Sequence, residues 1–210
     1  MNLRFAVLSL ILTASPVVAQ WELGALGGYG FRRDLTVSGP AGQATVGFRP
    51  GTVWGFAGGL NEYGYLAGEA RYLYEDGEIR LRSGGTETRF ASRAHLVHFD
   101  FLVHSARSGS RVRPFLVIGG GVKVYEGTGP DRAVQPLSRF VGLTRTRDTK
   151  PLMTPGGGVK FQVSRHVSLR GEFRDYITPR PEKVLAPAAG VTMKGWVHDF
   201  VPMIGVMGTF

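Results

Sequence analysis

The sequence predicts an all-β chain: an eight-stranded antiparallel up-and-down transmembrane β-barrel. Three observations predict it. Apolar residues alternate with polar or small ones in eight separate segments, the two-residue period of extended strands. The connections between these segments alternate in length. Beyond the N-terminus, the chain holds no apolar run of about 18 residues, so a spanning helix is not expected.

The elements follow in order. Arg4 provides a short positive region, Phe5 to Leu12 an apolar run, and Val17-Val18-Ala19 small residues before a cut ahead of Gln20. Residues 1–19 are therefore expected to be a cleavable secretory signal, and residues 20–210 the barrel. The first strand, Trp21–Arg32, puts Trp21, Leu23, Ala25, Tyr29 and Phe31 on one face. The second, Thr52–Asn61, carries Trp54, Phe56 and Leu60, and the third, Tyr65–Glu75, carries Leu66, Ala70, Tyr72 and Tyr74. The fourth, Ser92–His104, has Val97, Phe99, Phe101 and Val103; the fifth, Phe115–Tyr125, has Leu116, Ile118, Val122 and Val124. The sixth is Gly156–Val163, the seventh Val167–Ile177, and the eighth Trp196–Phe210. Most approach the roughly 9–11 residues that a tilted strand needs to cross a bilayer. Pro202 removes a ladder donor from the eighth strand, and a bulge is expected there.

Connections Asn61–Gly64, Ser105–Arg113 and Ser164–His166 are short, whereas Arg33–Gly51, Asp76–Ala91, Glu126–Pro155 and Thr178–Gly195 are long. Short turns at one end and long loops at the other is the arrangement of membrane barrels, with the long loops outside the cell. Trp21, Tyr29, Tyr63, Tyr74, Tyr176 and Trp196 near strand ends suit interfacial girdles.

Composition narrows the class further. The 31 glycines among 210 residues exceed an average usage of about 7 %, and they sit inside alternating segments, which argues against disorder. With no cysteine there is neither a disulfide framework nor a lipid-attachment thiol. A formal charge of +9 favours acidic partners, and export makes phosphate-bearing lipid headgroups the expected ones, not nucleic acid.

The opposite face of the strands carries Glu22, Glu69, Asp100, Glu172 and Asp199 against Arg71, Lys123, Lys160, Arg170 and Arg174. Charges inside a narrow barrel are tolerable when paired. Five acids against five bases predict a charge-paired interior, and eight strands enclose a space that side chains just fill. A shift of the fifth strand by one residue would instead turn Lys123 outward. Gly68-Glu69-Ala70-Arg71 recurs as Gly171-Glu172-Phe173-Arg174 on the third and seventh strands, which lie opposite each other in an eight-membered ring. Gly119-Gly120-Gly121-Val122-Lys123 recurs as Gly156-Gly157-Gly158-Val159-Lys160. Phosphate-loop spacing is absent and no helix follows, so these glycines are read as clearing room for long Arg and Lys side chains.

The histidines offer sharper chemistry, each with a plain counterpart. His166, Ser168 and Glu172 contain the residue types of a hydrolase triad, but the topology puts His166 in a short turn and Ser168 on the inner face. His95 and His198 face outward near the long-loop rim without a serine nearby on their face. His98 and His104 belong to the inner polar set, and no clustered spacing predicts a metal site. The third long loop holds Arg132, Arg139, Arg145, Arg147 and Lys150, a candidate anion-binding set diluted by Glu126, Asp131 and Asp148.

With these residues in hand, the chain resembles the small OmpA/OmpX-like outer-membrane β-barrel family over nearly its whole mature length. The likeness is carried by Gly68-Glu69-Ala70-Arg71-Tyr72, the glycine-rich fifth and sixth strands, Arg174-Asp175-Tyr176 and the closing Phe200–Phe210 stretch. The resemblance implies an envelope protein of the bacterial outer membrane that contacts lipopolysaccharide. It also implies that Phe210 ends a strand read by the outer-membrane insertion machinery, although Gly208 stands where a large residue is usual. The expected role is a monomeric structural or surface-interaction barrel with a filled lumen, no cofactor and no reaction. The alternatives are a lipid A-modifying acyl hydrolase or transferase on the same scaffold, and a narrow solute channel.

Overall fold

A computed structural model describes residues 21–130 and 135–210; the expected signal at 1–19 and Arg132 lie outside the described residues. The described chain is strand and turn, and it holds no helix long and apolar enough to cross a membrane. In chain order the strands are β1 (Trp21–Arg32), β2 (Leu35–Gly39), β3 (Gly42–Arg49), β4 (Gly51–Tyr63), β5 (Leu66–Ser83), β6 (Thr86–His104) and β7 (Val112–Gly127). They continue as β8 (Val141–Leu143), β9 (Arg147–Met153), β10 (Gly156–Gln162), β11 (Val167–Thr178), β12 (Leu185–Pro187), β13 (Thr192–Met193) and β14 (Val197–Thr209).

All pairings of the wall are antiparallel, and they close on themselves. β1 pairs β4, β4 pairs β5, β5 pairs β6 and β6 pairs β7. β7 pairs both β10 and β9, which reach β11 in turn, and β11 pairs β14, which returns to β1. Counting β9 and β10 as one wall position broken at Thr154-Pro155, the ring has the eight positions expected from the sequence.

Side chains divide cleanly by parity. Leu23, Trp54, Phe56, Phe101, Leu116, Ile118, Phe173 and Ile204 stand exposed on the outside, a surface that only lipid would cover favourably. On β5 and β6 the outer face changes character at one cross-strand level. Tyr74 pairs with His95, and the next outward pair is Asp76 with Arg93. From there outward come Glu78, Arg80 and Arg82 on β5 and Arg89 and Glu87 on β6. This level marks the upper edge of the apolar belt.

Above that edge the long connections are not loops, which corrects the expected boundaries. Asp76–Ala91 continues β5 and β6 as a hairpin closed at Gly84-Gly85, both at positive φ, the geometry of a two-residue primed turn. Arg33–Gly51 folds into β2 and β3, and β3 pairs the β5 extension through Val46↔Leu81 and Phe48↔Ile79. Glu126–Pro155 contains β8 and β9, and Thr178–Gly195 contains β12 and β13. Together these pieces enclose an apolar core that includes Val37, Val46, Ile79, Leu81, Phe140 and Leu185. The physical reason is local: the extensions keep apolar residues on their inward positions, at every second residue, so burial continues past the apolar belt.

Pro202 does not cause a bulge. Pairing of β14 with β1 lapses opposite Tyr29 and Gly30 and resumes at Phe31↔Phe200 in the register already set by Gly28↔Met203. The register shift in the wall lies instead between Leu60 and Tyr63 of β4.

Candidate functional site

The ten charged residues assigned to the inner face are all buried, and they meet in three groups along the barrel. The central group joins opposite walls. On β5, Arg71 donates to Glu69 Oε1 from Nη2 (2.5 Å) and also bonds Glu172 of β11. Glu69 Oε2 accepts from Arg170 of β11 (2.5 Å). The repeated Gly-Glu-x-Arg segments thus reach across the ring and exchange partners. Arg174 adds a bond to Asp100 of β6 (2.7 Å), and Asp100 also accepts from Thr154 (2.6 Å) and sits 3.0 Å from His98 Nδ1. Three guanidinium groups therefore face three carboxylates in a buried space, where each ion depends on its partners.

The upper group was half visible in the sequence. Lys123 lies inward on β7 and reaches Glu75 (2.6 Å) and Asp199 (2.9 Å), so the one-residue shift of that strand does not occur. Arg32 completes the group, 2.5 Å from Glu75 and 2.8 Å from Asp199. Arg32 and Glu75 were not assigned to the interior, yet parity alone places them there: Glu75 lies four residues beyond Arg71, and Arg32 an even number beyond Glu22. At the short-turn end, Glu22 pairs with Lys160, and Arg113 is buried beside them.

Apolar layers separate these groups. Leu73 stands between Arg71 and Glu75 and pairs with Leu96, and Val201 and Met203 follow Asp199 along β14; all four are buried. Leu26, Ala57 and Met207 form a further layer toward the short-turn end. Above the upper group, Arg32, Phe48, Glu75, Tyr125 and Val184 line a cavity of about 10 Å³, room for about one water.

The glycine repeats act on alternate members. A Cβ on Gly119 would meet Asp100 and Thr154, one on Gly121 would meet His98, and one on Gly158 would meet Glu172 and Phe115. These inward glycines give the central group its space. Gly120 and Gly157 face outward.

The remaining candidates are dispersed. Arg147 lies on β9 rather than in a loop and donates to Glu126 (2.9 Å), which also accepts from Arg93 (2.7 Å). Hydrogen bonds from Arg93 and Arg147 pull the Glu126 carboxyl down to about 2. Lys150, also on β9, sits 3.2 Å from Asp148. Arg139 lies over the Phe140 ring (5.2 Å), and Arg145 is exposed. Two members of the basic set, Arg147 and Lys150, are thus already paired with acids.

Phe210 is exposed, and its N–H donates to the Trp21 carbonyl (2.9 Å), next to the β1–β14 seam. His166 is exposed in its turn and bonds the Thr209 carbonyl (3.2 Å), while Ser168 is buried, so the triad types are not assembled. His198 on the outer rim lies 2.8 Å from Asp175, and His95 lies 2.9 Å from the Tyr72 hydroxyl. Among the described residues no group of His, Asp or Glu is arranged to hold a metal.

No protein-family model matches the chain, and no curated protein sequence does. Solved structures do. The chain is similar to Neisserial surface protein A at 13 % identity and a TM-score of 0.56, over 91 % of this chain and 97 % of that one. It is similar to the outer membrane protein OprG from Pseudomonas aeruginosa at 11 % identity and a TM-score of 0.62, over 91 % and 96 %. At such identities the likeness establishes the fold, that of a small outer-membrane β-barrel.

Proposed function

We propose that this chain is an exported outer-membrane barrel whose interior is closed, and that it serves as a structural or surface-interaction protein, not as a channel. One observation carries the reading: the Glu69–Arg170 and Arg71–Glu172 bridges span the ring from β5 to β11, with apolar layers on either side. A conducting path would have to break bridges between buried ions that depend on one another. The folded extensions beyond the belt place an apolar core over the same axis, and the charged outer face of β5 and β6 suits contact with the phosphates of lipopolysaccharide. Insertion through the closing strand and a monomeric state accompany this reading, with residues 1–19 as the export signal.

The test has two parts. Outer-membrane fractions run unboiled and boiled in SDS should show a mobility shift, as a detergent-resistant barrel requires. The purified barrel in planar bilayers should then give no steady conductance. Stepwise channels of uniform size would overturn the closed interior. A change in lipid A mass on expression would overturn the non-enzymatic role and favour an acyl hydrolase or transferase.

A further inference from the structure

We propose that the notch where β5 exchanges partners, on the outer wall at the upper edge of the apolar belt, binds the headgroup of an acylated amino-sugar phosphate, the chemistry of lipid A. This site depends on the outer-membrane reading and localises a lipid contact which that reading leaves general. Tyr29, Arg49, Thr52, Asp76 and Glu78 line the notch, which has a volume of about 290 Å³. That is close to the lower bound of about 300 Å³ for small-molecule pockets.

Backbone topology makes the notch. β3 pairs β5 as far as Arg49↔Glu78, and β4 takes over at Val53↔Glu75. Between them the chain turns at Pro50, which has no N–H to offer, and Gly51. A Cβ on Gly51 would meet the Asp76 carbonyl oxygen, so the close approach of the two backbones requires glycine there. On its other side Thr52 pairs with Tyr29, which sets Tyr29 level with the change from Tyr74 to Asp76 at the edge of the belt. Tyr29, Arg49, Thr52 and Asp76 are all exposed.

The lining is chemically mixed, and the mixture selects the occupant. Asp76 makes no ion pair among the described residues; its Oδ1 accepts the adjacent Gly77 N–H (3.1 Å). Glu78 gives Oε1 to Arg80 (3.0 Å) and keeps its second oxygen. Two carboxylates beside a threonine hydroxyl suit the hydroxyl and amide N–H donors of an amino sugar. The Tyr29 ring, edge-on to Phe31 at 5.4 Å, has the apolar body and polar tip of an interfacial aromatic. Arg49 also makes no ion pair among the described residues, and it borders a second cavity of about 250 Å³ together with Phe31, Arg80 and Arg82. A phosphate on the sugar thus meets a guanidinium beside the notch. Below, Trp54 and Phe56 continue the exposed apolar wall against which acyl chains lie. A glycerophospholipid would satisfy the wall and Arg49 but would bring its phosphate against two carboxylates with no sugar between them.

The full barrel, folded in micelles, is mixed with lipid A or with phosphatidylglycerol, and retained lipid is counted by native mass spectrometry. One lipid A per barrel is expected, held in preference to phosphatidylglycerol. Retention should weaken about tenfold in Asp76→Asn, which loses a charge-assisted hydrogen bond, and should weaken in Tyr29→Ala. Arg165→Gln, at the opposite end of the barrel, should leave it unchanged. All three positions are exposed, and a retained gel shift confirms that each variant folds. Equal retention of the two lipids overturns the sugar headgroup. Retention indifferent to both Asp76→Asn and Tyr29→Ala, or no retention of lipid A, overturns the site. A parent protein without the gel shift instead defeats the outer-membrane reading, so the two failures are distinguishable.

Discussion

Replacing Glu69 by Gln probes the central charge group most directly, because it keeps the shape and removes one charge. Glu69 lies within 2.5 Å of both Arg71 and Arg170 and 3.6 Å of Arg174. After the change, three buried guanidinium groups face only Asp100 and Glu172. Removing one partner from a buried ion network costs about 3–5 kcal/mol, because the remaining charge is left without compensation. The amide oxygen still accepts one hydrogen bond, so the lower end is expected, about 3 kcal/mol or roughly a hundredfold in the folding equilibrium. Urea titration of the barrel in lipid vesicles, read by the gel shift and by tryptophan fluorescence, measures it. The double variant Glu69→Gln/Arg170→Met restores two charges of each sign. Its loss should fall short of the sum of the single losses by at least about 1 kcal/mol. A single-variant loss below about 1 kcal/mol, with additive singles, would refute the claim that these ions depend on one another.

Three further outcomes follow from the same structure. Gly119→Val should destabilise the barrel by several times the cost of Gly171→Ala. Its side chain would displace Asp100 and Thr154, whereas a Cβ on Gly171 meets nothing within 4 Å; equal urea midpoints would contradict this. Leu81→Ala, in the core above the belt, should cost about 2–5 kcal/mol in amide exchange of the β5–β6 extension. The gel shift of the transmembrane ring should persist, and its loss would show that ring and cap unfold as one. Glu126 is held low by Arg93 and Arg147, so its contribution to docking β9 is complete above the ordinary carboxyl value of 4.5. That contribution should fade as pH falls toward about 2. A carbon-13 titration should place its midpoint there, with Arg93→Gln moving it upward; an ordinary midpoint in the parent protein would refute the pairing.

Parity carried most of what the sequence made legible. The first strand was bounded at Trp21 and Arg32, and the same two-residue count put Glu69, Arg71 and Arg174 on the inner face. Arg32 and Glu75 are harder to read because they lie at the ends of the first and third segments, where alternation alone does not separate an inward residue from a rim residue. The extensions escaped for another reason. Leu35, Val37, Ala44, Val46 and Phe48 alternate as clearly as any wall segment, but Gly and Pro at 39–42 and the length rule for membrane strands marked the stretch as loop. Membrane thickness limits the lipid-facing belt; it does not limit how far a strand pair continues beyond it. Arg147 and Lys150 belong to the same case, on a strand, β9, that continues the wall beyond the belt. Nothing in the sequence order could show that Arg147 would be spent on Glu126, since that contact depends on β9 pairing with β7.

The repeated Gly-Glu-x-Arg segments address a problem that alternation alone leaves open. A strand that slips by one residue turns its apolar set inward and is rejected by lipid. A strand that slips by two keeps every side chain on its proper face, and the apolar belt barely registers the difference. The charged interior does register it. Moving β5 by two residues would bring Arg71 to the level of Glu69, opposite Arg170 in place of its present carboxylate partner, and would carry Glu75 away from Lys123. Buried ions without partners cost far more than apolar residues in a neighbouring layer. An apolar interior of equal volume could match the stability of this barrel, but it would penalise such a slip less. The charges thus define register along the barrel axis, while the outer face defines only inside from outside.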